Sequence, residues 1–291
     1  MKFNHSNIKK AKKYLDQNKC VAVPTETVYG LAANAYSTTA VKKIFKLKKD
    51  CLINDKFLKL YKKFCPGPIT FVLELKKNSK ISKVVTNNNK TLAIRFPKHT
   101  ILKNLLKILN YPLAAPSANV STRLSPVNAE DVKEEFGNKI SYILDGGKSK
   151  VGIESSILSL VNFPKILRLG GLEVSKIEKV LNQKIKIDIN PLKNVVPGQS
   201  KLHYSPGVPV RMNVVKPKKD EAFILLKKRR DKSPNYYYLS KNKNLKEAAK
   251  NLYSCLRKIK NKGYKSIAIQ KIKNIGIGKT INDRLHRASN K

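Results

Sequence analysis

What constrains this chain most is alternation. Up to about residue 190, short apolar runs trade places with stretches whose apolar residues recur every three or four positions. KCVAVPT, TFVLEL, LAIRFP, LAAPS, SYILDG, SSILSLV and KILRL read as strands. Residues 6–17, TTAVKKIFKLKK and SPVNAEDVKEEFG read as helices. Ser6 or Asn7 is the expected cap of the first helix. Ser125 and Pro126 mark the expected start of the third, with acids in its first turn. A chain patterned this way can bury its apolar faces only by layering helices on a sheet. The expectation for residues 1–190 is therefore an α/β domain around a twisted, mixed sheet.

The pattern breaks at residues 190–210, NPLKNVVPGQSKLHYSPGVPV, which hold four prolines and two glycines in 21 residues without periodicity. That composition suits a linker or an ordered loop. Beyond it AFILLKK, NYYYLS and SIAIQKI read as strands. LKEAAKNLYSCLRKIKNKG and a segment through INDRLHRAS read as helices. The expected organisation is a first domain over 1–190, a linker over 191–210 and a small second α/β domain over 211–291.

No apolar run approaches the roughly 18 residues of a membrane span. The N-terminal MKFNHSNIKKAKKYL lacks the apolar core of a signal peptide. No membrane contact and a cytoplasmic location are expected. The four cysteines, Cys20, Cys51, Cys65 and Cys255, form no C-x-x-C pair and do not approach the histidines at ligand spacing. Reduced thiols are expected, with no disulfide framework and no metal site; a Cys–His catalytic pair is disfavoured.

The net charge of +42 raises the question of nucleic acid. Lysine greatly outnumbers arginine, asparagine and isoleucine are abundant, and the charge is spread along the chain. Those features favour coding-sequence bias as the main cause. A basic surface that tolerates ATP, pyrophosphate or weak tRNA binding is compatible with either.

The polar motifs cluster at strand ends. PTETVYG follows VAV, PSANVS follows LAA, and ESS follows DGGKSKVG, while Arg95 and Arg168 lie in strands. Such ends often converge on one cleft. Hydroxyls, amides and cations dominate and carboxylates are few. That mix suits an anionic ligand better than acid–base hydrolysis. Each feature also has a plainer reading. Thr25 and Thr27 could satisfy a turn, and Ser117 and Asn119 could form one after proline. Asp145–Gly147 alone is a turn signal, and His203–Tyr204 could sit in a plain connector. Arg95 is harder to dismiss, because a cation inside a strand is usually paired or bound. No Walker loop and no G-x-S-x-G elbow occurs, and GIGKT at 276–280 lacks the P-loop spacing.

Jointly, PTETVYGLAANA, CPGPITFVL, LAIRFP, APSANVS, DGG, GIESSIL, ILRLGG, VPGQSKLHYSP and GIGKTINDRLHRA resemble the YrdC-like family, specifically its two-domain threonylcarbamoyl-AMP synthases. The likeness runs through nearly the whole chain, in order. It implies a YrdC-like twisted mixed sheet with a basic concave cavity, followed by a small Rossmann-like domain. It implies the formation of threonylcarbamoyl-AMP and pyrophosphate from L-threonine, bicarbonate and ATP, with Mg²⁺ accompanying the ATP. The product would pass to the machinery that makes N6-threonylcarbamoyladenosine in tRNA. By the same resemblance Thr27, Arg95, Ala115 and Ser155 would hold L-threonine, with Thr25 and Tyr29 shaping the pocket. Thr91, Ser117, Asn119, Ser125, Arg168 and Tyr204, with His203 beside it, would lie along the nucleotide. Lys48 matches the catalytic lysine of a K-x-R-P motif.

One departure stands out. The family continues K-x-R-P, then N-P-L and an apolar strand ending in histidine. Here Asp50 stands at the arginine position, and the asparagine, the strand and the histidine have no counterpart. A weak or inactive synthase that still folds is the expectation. The alternatives are a noncatalytic nucleotide- or RNA-binding module of the same fold, and a structural partner in tRNA modification. No aromatic stacking stripe supports the RNA module.

Overall fold

The computed structural model describes residues 5–35, 50–79, 81–191, 196–229 and 233–290. The helix expected over TTAVKKIFKLKK, and with it Lys48, lies outside the described residues.

Two mixed sheets, rather than one, build the first unit. The first has the order β5–β2–β1–β6, from Leu113–Ala114, Gly30–Asn34, Val21–Val23 and Tyr142–Ile143. It packs against α1 (His5–Asp16), whose Ile8, Ala11 and Leu15 meet Val21, Val23 and Ala32. The second has the order β4–β3–β7–β8–β9, from Thr91–Arg95, Ile69–Glu74, Ser156–Ser159, Lys165–Arg168 and Lys186–Ile187. Its strands β3 and β4 run antiparallel, β3 and β7 parallel, and β7 and β8 antiparallel.

The two faces of this second sheet differ. Phe71, Leu73, Leu92, Ile94, Leu158 and Ile166 pack under helices α2 (Asp55–Phe64) and α6 (Val174–Leu181), which supply Phe57, Leu60 and Ile177. The opposite face carries the partners Thr70–Arg95, Val72–Ala93 and Glu74–Thr91. The period of two along each strand puts these residues on one face once the register is fixed. Between β3 and α6 the chain also forms α3 (Lys83–Thr86), α4 (Thr100–Ile108) and α5 (Ala129–Phe136).

Two helix starts differ from the sequence expectation. Ser6 and Asn7 lie inside α1, which already includes His5. Helix α5 is capped by Asn128, whose Oδ1 accepts from the Asp131 amide at 2.7 Å. Glu130 and Asp131 then occupy its first turn, where the helix dipole favours acids. Ser125 is drawn elsewhere, as described below.

The second unit is a parallel sheet of order β10–β13–β11–β12 (Val210–Arg211, Ser266–Ile269, Glu221–Lys227, Tyr236–Ser240) with helices α7 (Leu245–Asn261) and α8 (Gly278–Ser289). The two units share a core. Val28, Leu124, Val127 and Ile153 of the first pack in one cluster with Leu252, Leu256, Ile281 and Leu285 of the second. No described helix is long and apolar enough to cross a membrane.

Candidate functional site

The turn after β1 is built by its own hydroxyls. Thr25 Oγ1 accepts from the amides of Thr27 (3.1 Å) and Val28 (3.2 Å) and donates to the Val28 carbonyl at 2.6 Å. With its single proton so placed, Thr25 must accept from Thr27 Oγ1 at 2.8 Å. Arg95 Nη2, from the end of β4, donates to Thr27 Oγ1 at 2.7 Å and pairs with Glu26 Oε1 at 2.9 Å. The other Glu26 oxygen accepts from the Lys98 amide. Hydrogen bonds are thus donated from Arg95 to Thr27, from Thr27 to Thr25 and from Thr25 to the Val28 carbonyl, and Thr27 keeps an acceptor lone pair. Arg95 Nε is buried without a hydrogen-bond partner.

Across the strand pair, Thr70 faces Arg95, and its Oγ1 meets Ser155 Oγ at 2.7 Å. Arg168, at the end of β8, donates from Nη2 to Ser155 Oγ (3.2 Å) and from Nε to the Ser155 carbonyl (3.1 Å). Its Nη1 reaches the Pro197 carbonyl in the linker at 3.1 Å. One polar band therefore runs Thr25–Thr27–Arg95–Thr70–Ser155–Arg168 and ends under the linker. Gly170 lets β8 close on Ser155, since a Cβ there would stand 2.2 Å from the Ser155 carbonyl carbon.

Other expected residues sit around this band in different roles. Tyr29 is buried; its hydroxyl donates to the Gly147 carbonyl and accepts from the Gly146 amide, both at 2.9 Å, which ties DGG to the turn. Burial, with Asp145 nearby, pushes its pKa well up. Ser117 bridges to Gly30, and Ala115 lies beside the same glycine. Asn119 donates to the carbonyls of Val120 and Arg123 and so shapes its own loop. Thr91 sits at the opposite end of β4 from Arg95, facing Glu74, a separation of roughly 13 Å along the strand. Asp50 is buried and accepts from Ser79 Oγ at 2.9 Å, so the carboxylate expected beside phosphates is engaged by the protein itself.

Ser125 is fully buried, and its hydroxyl donates to Glu154 at 2.6 Å. Glu154 also accepts from Tyr253 OH (3.0 Å) and from Arg284 Nε (2.8 Å) of the second unit. Burial would raise the Glu154 pKa, yet Arg284 and then Arg168 bring it down to about 2. Tyr204 is buried beside this group, with the Arg284 guanidinium 4.5 Å from its ring centre. Its hydroxyl lies against Gly198 and has no hydrogen-bond partner. His203 Nδ1 accepts from the Tyr204 amide at 2.9 Å, and burial holds its pKa down to about 4.

Sequence reasoning passed over Glu26, Thr70, Glu154 and Arg284. Glu154 had a signal, standing directly before the two serines of GIESSIL. Burial makes three of the thiols poor nucleophiles, holding Cys51 up at about 11 and Cys65 and Cys255 at about 12. Among the described residues no group of three or more His, Cys, Asp or Glu could hold a metal ion. An open cleft of about 860 Å³ in the second unit, lined by Lys216, Lys218 and Lys262 among others, shares no residue with the band.

Two family models cover the chain. The Sua5, YciO and YrdC model, described as "Telomere recombination", matches residues 13–51 and 50–170. The model described as "Threonylcarbamoyl-AMP synthase, C-terminal domain" matches residues 172–290. The threonylcarbamoyl-AMP synthase of Pyrococcus abyssi is 34% identical, covering 95% of this chain and 92% of that protein. That of Bacillus subtilis is 37% identical over 71% of this chain and 66% of its own. The crystal structure of P. abyssi Sua5 complexed with L-threonine superposes with a TM-score of 0.88 at 29% identity, over 99% of this chain and 96% of that one. Fold and polar band thus define a YrdC-like α/β protein with an appended second domain. The chain belongs to the two-domain threonylcarbamoyl-AMP synthase family.

The first model matches in two pieces that meet at residues 50–51. The alignment to the P. abyssi protein runs over 319 residues, more than the 291 of this chain. The longer alignment therefore includes residues of the relative that stand opposite gaps in this chain.

Proposed function

We propose that this chain makes threonylcarbamoyl-AMP and pyrophosphate from L-threonine, bicarbonate and ATP, for N6-threonylcarbamoyladenosine formation in tRNA. The observation that carries the reading is the polar band from Thr27 and Arg95 through Ser155 to Arg168. Its donors suit an amino acid at one end and a nucleotide at the other. A guanidinium fork fits the threonine carboxylate, and the partnerless Arg95 Nε is the donor available to it. Thr27 Oγ1, its proton given to Thr25, would accept from the threonine amine. Ser155 and the Ala115 backbone would close that pocket, with Thr25 and Tyr29 holding its wall from behind. The P. abyssi structure bound to L-threonine supports this end of the reading.

Arg168, Ser117, Asn119 and Tyr204 would line the nucleotide; Thr91 belongs to this set only for a ligand that extends along β4. Ser125 would act through Glu154 rather than by touching ATP. The chain needs little covalent chemistry of its own. The neutral threonine amine attacks the bicarbonate carbon and water leaves, giving the carbamate; a carbamate oxygen then bonds to the α-phosphorus as its bond to the β-phosphate oxygen breaks and pyrophosphate leaves. Positioning and charge neutralisation are the protein's share. Mg²⁺ would arrive on the ATP phosphates. The band offers hydroxyls and cations but no carboxylate cluster, which fits a metal held mainly by the nucleotide. A cytoplasmic location, and a handover of product to tRNA-modifying partners, belong to the same reading.

Asp50, standing where the resemblance expects the K-x-R-P arginine, supports a weakened enzyme. A K-x-R-P arginine would add a cation for the phosphates, and losing one such group costs about 2.7–4 kcal/mol, or roughly 10²–10³ in rate. The test is pyrophosphate release from ATP. Release that needs both L-threonine and bicarbonate supports the synthase; ATP binding with no release under any condition favours the noncatalytic module.

A further inference from the structure

Tyr204 adopts a positive φ of 59°, in a loop that leaves the first unit before the second begins. A bulky residue rarely takes that conformation, and it persists only where the surroundings over-determine it. Two of the side chains on its ring come from the second unit. The Arg284 guanidinium lies over the ring, and the Tyr253 ring stacks on it with centroids 5.9 Å apart and planes 18° from parallel. Arg284 is itself fixed. It donates to Glu154 at 2.8 Å and to the Leu169 carbonyl at 2.6 Å, and it pairs with Asp283. Three residues on, Arg287 grips the loop, donating to the carbonyls of Gln199 and Ser200 at 2.9 Å and of Ile189 at 2.8 Å. Ser205, after Tyr204, bonds back through its amide to the Thr122 carbonyl beside the PSANVS loop. The result places the Tyr204 hydroxyl against Gly198 and Arg168, at the nucleotide end of the band. The threonine end has further contacts of its own within the first unit, Glu26 on Arg95 and Thr70 on Ser155.

We propose that Arg284 is a positioning residue: from the second domain it sets Tyr204 over the nucleotide end of the site and leaves the threonine end untouched. The inference deepens the synthase reading, and its test separates the two. Arg284→Met alone would strand the buried Glu154 carboxylate, so the informative variant is Arg284→Met with Glu154→Gln, which removes both charges together.

One arm needs no activity. Amide hydrogen exchange over residues 196–206 in the unliganded full chain should speed up by at least about tenfold in the double variant. It should not change in Lys184→Met, which breaks only the surface pair with Glu178. Unchanged exchange in the double variant overturns the proposal. The second arm is calorimetry with a non-hydrolysable ATP analogue and with L-threonine. The double variant should bind the analogue about tenfold more weakly and threonine within about twofold of the parent, and adding Tyr204→Ala should weaken it no further. Equal losses for both ligands, or additive losses with Tyr204→Ala, would mean general loosening and sink the idea. If the parent chain binds no analogue, the synthase reading fails, and the exchange arm still decides the role of Arg284.

Discussion

Replacing Arg95 with alanine has two consequences that the structure allows to be sized separately. Arg95 Nη2 makes two short contacts, to Thr27 Oγ1 at 2.7 Å and to Glu26 Oε1 at 2.9 Å. Its side chain is 21% exposed and that of Glu26 only 6%. Severing a fully buried pair costs about 3–5 kcal/mol, because one charge is left unpaired. Here Glu26 keeps the Lys98 amide, and water can enter where the guanidinium stood. The stability loss should therefore be smaller, about 1–3 kcal/mol. The threonine carboxylate, by contrast, loses its only proposed cation. Truncating one partner of such a pair costs about 2–5 kcal/mol, a weakening of roughly thirty- to several-thousand-fold. Arg95→Lys separates the terms. A lysine keeps a charge beside Glu26 but offers a point donor instead of a planar fork. It should restore most of the stability and only part of the affinity. The assay is calorimetric titration with L-threonine beside urea unfolding of the same samples. Stability that falls as expected while threonine affinity stays at the parent value would refute the assignment. Arg95 would then be a strut between β4 and the Thr25–Tyr29 turn and nothing more.

Adding ATP, L-threonine and Mg²⁺ should protect residues 196–206 from protease; unchanged cleavage at saturating ligand would make that segment a connector only. His203, held at about 4 against an ordinary 6.5, stabilises the fold fully above 6.5 and loses that contribution as pH falls toward 4. Glu154, held at about 2 against 4.5, loses its contribution mostly below that window, as pH falls from 4.5 toward 2. His203→Asn should accordingly flatten the unfolding free energy between pH 6.5 and 4 and spare the lower limb; an unaltered slope in urea midpoints across that window counts against a buried neutral imidazole. Inserting a K-x-R-P…N-P-L-x-x-H segment after Lys48 should raise threonine-dependent pyrophosphate release by at least about a hundredfold. Equal turnover with and without the insertion would show that another basic residue already serves the phosphates.

The parts of this site that were legible in the sequence are those whose chemistry is visible one residue at a time. Thr25, Thr27, Arg95, Ser155 and Arg168 stand out because hydroxyls and guanidinium groups at strand ends need an explanation. Thr70 needs none: in TFVLEL it reads as an ordinary β-branched strand former. Only the register that sets it opposite Arg95 brings it into the band. The strand-end rule also fails for it by direction. Arg95 and Arg168 close their strands, but antiparallel pairing delivers Thr70 to the same place from the start of β3. Glu26 carried the wrong sign for an anion site until its partner, far along the chain, was known. Ser125 reads as the start of its helix, and no local rule moves the cap on to Asn128. Glu154 does so, by taking the Ser125 hydroxyl and leaving the cap to Asn128.

That last case reaches furthest, because Glu154 is held from across the domain boundary. In INDRLHRAS, Arg284 reads as a solvated cation on an amphipathic helix, yet it is 1% exposed. Two opposite charges buried together gain little over an apolar pair of the same volume, so stability alone gives weak grounds for this arrangement. What an apolar pair could not do is present directed donors to the Leu169 carbonyl, to Glu154 and to a tyrosine ring at once. The Glu154 backbone continues into Ser155, and the Leu169 backbone follows Arg168. The second domain therefore grips the first immediately behind two residues of the polar band. A first domain without the second would lose the bed on which Tyr204 and the linker lie, and with it the packing on Val28 beside Thr27.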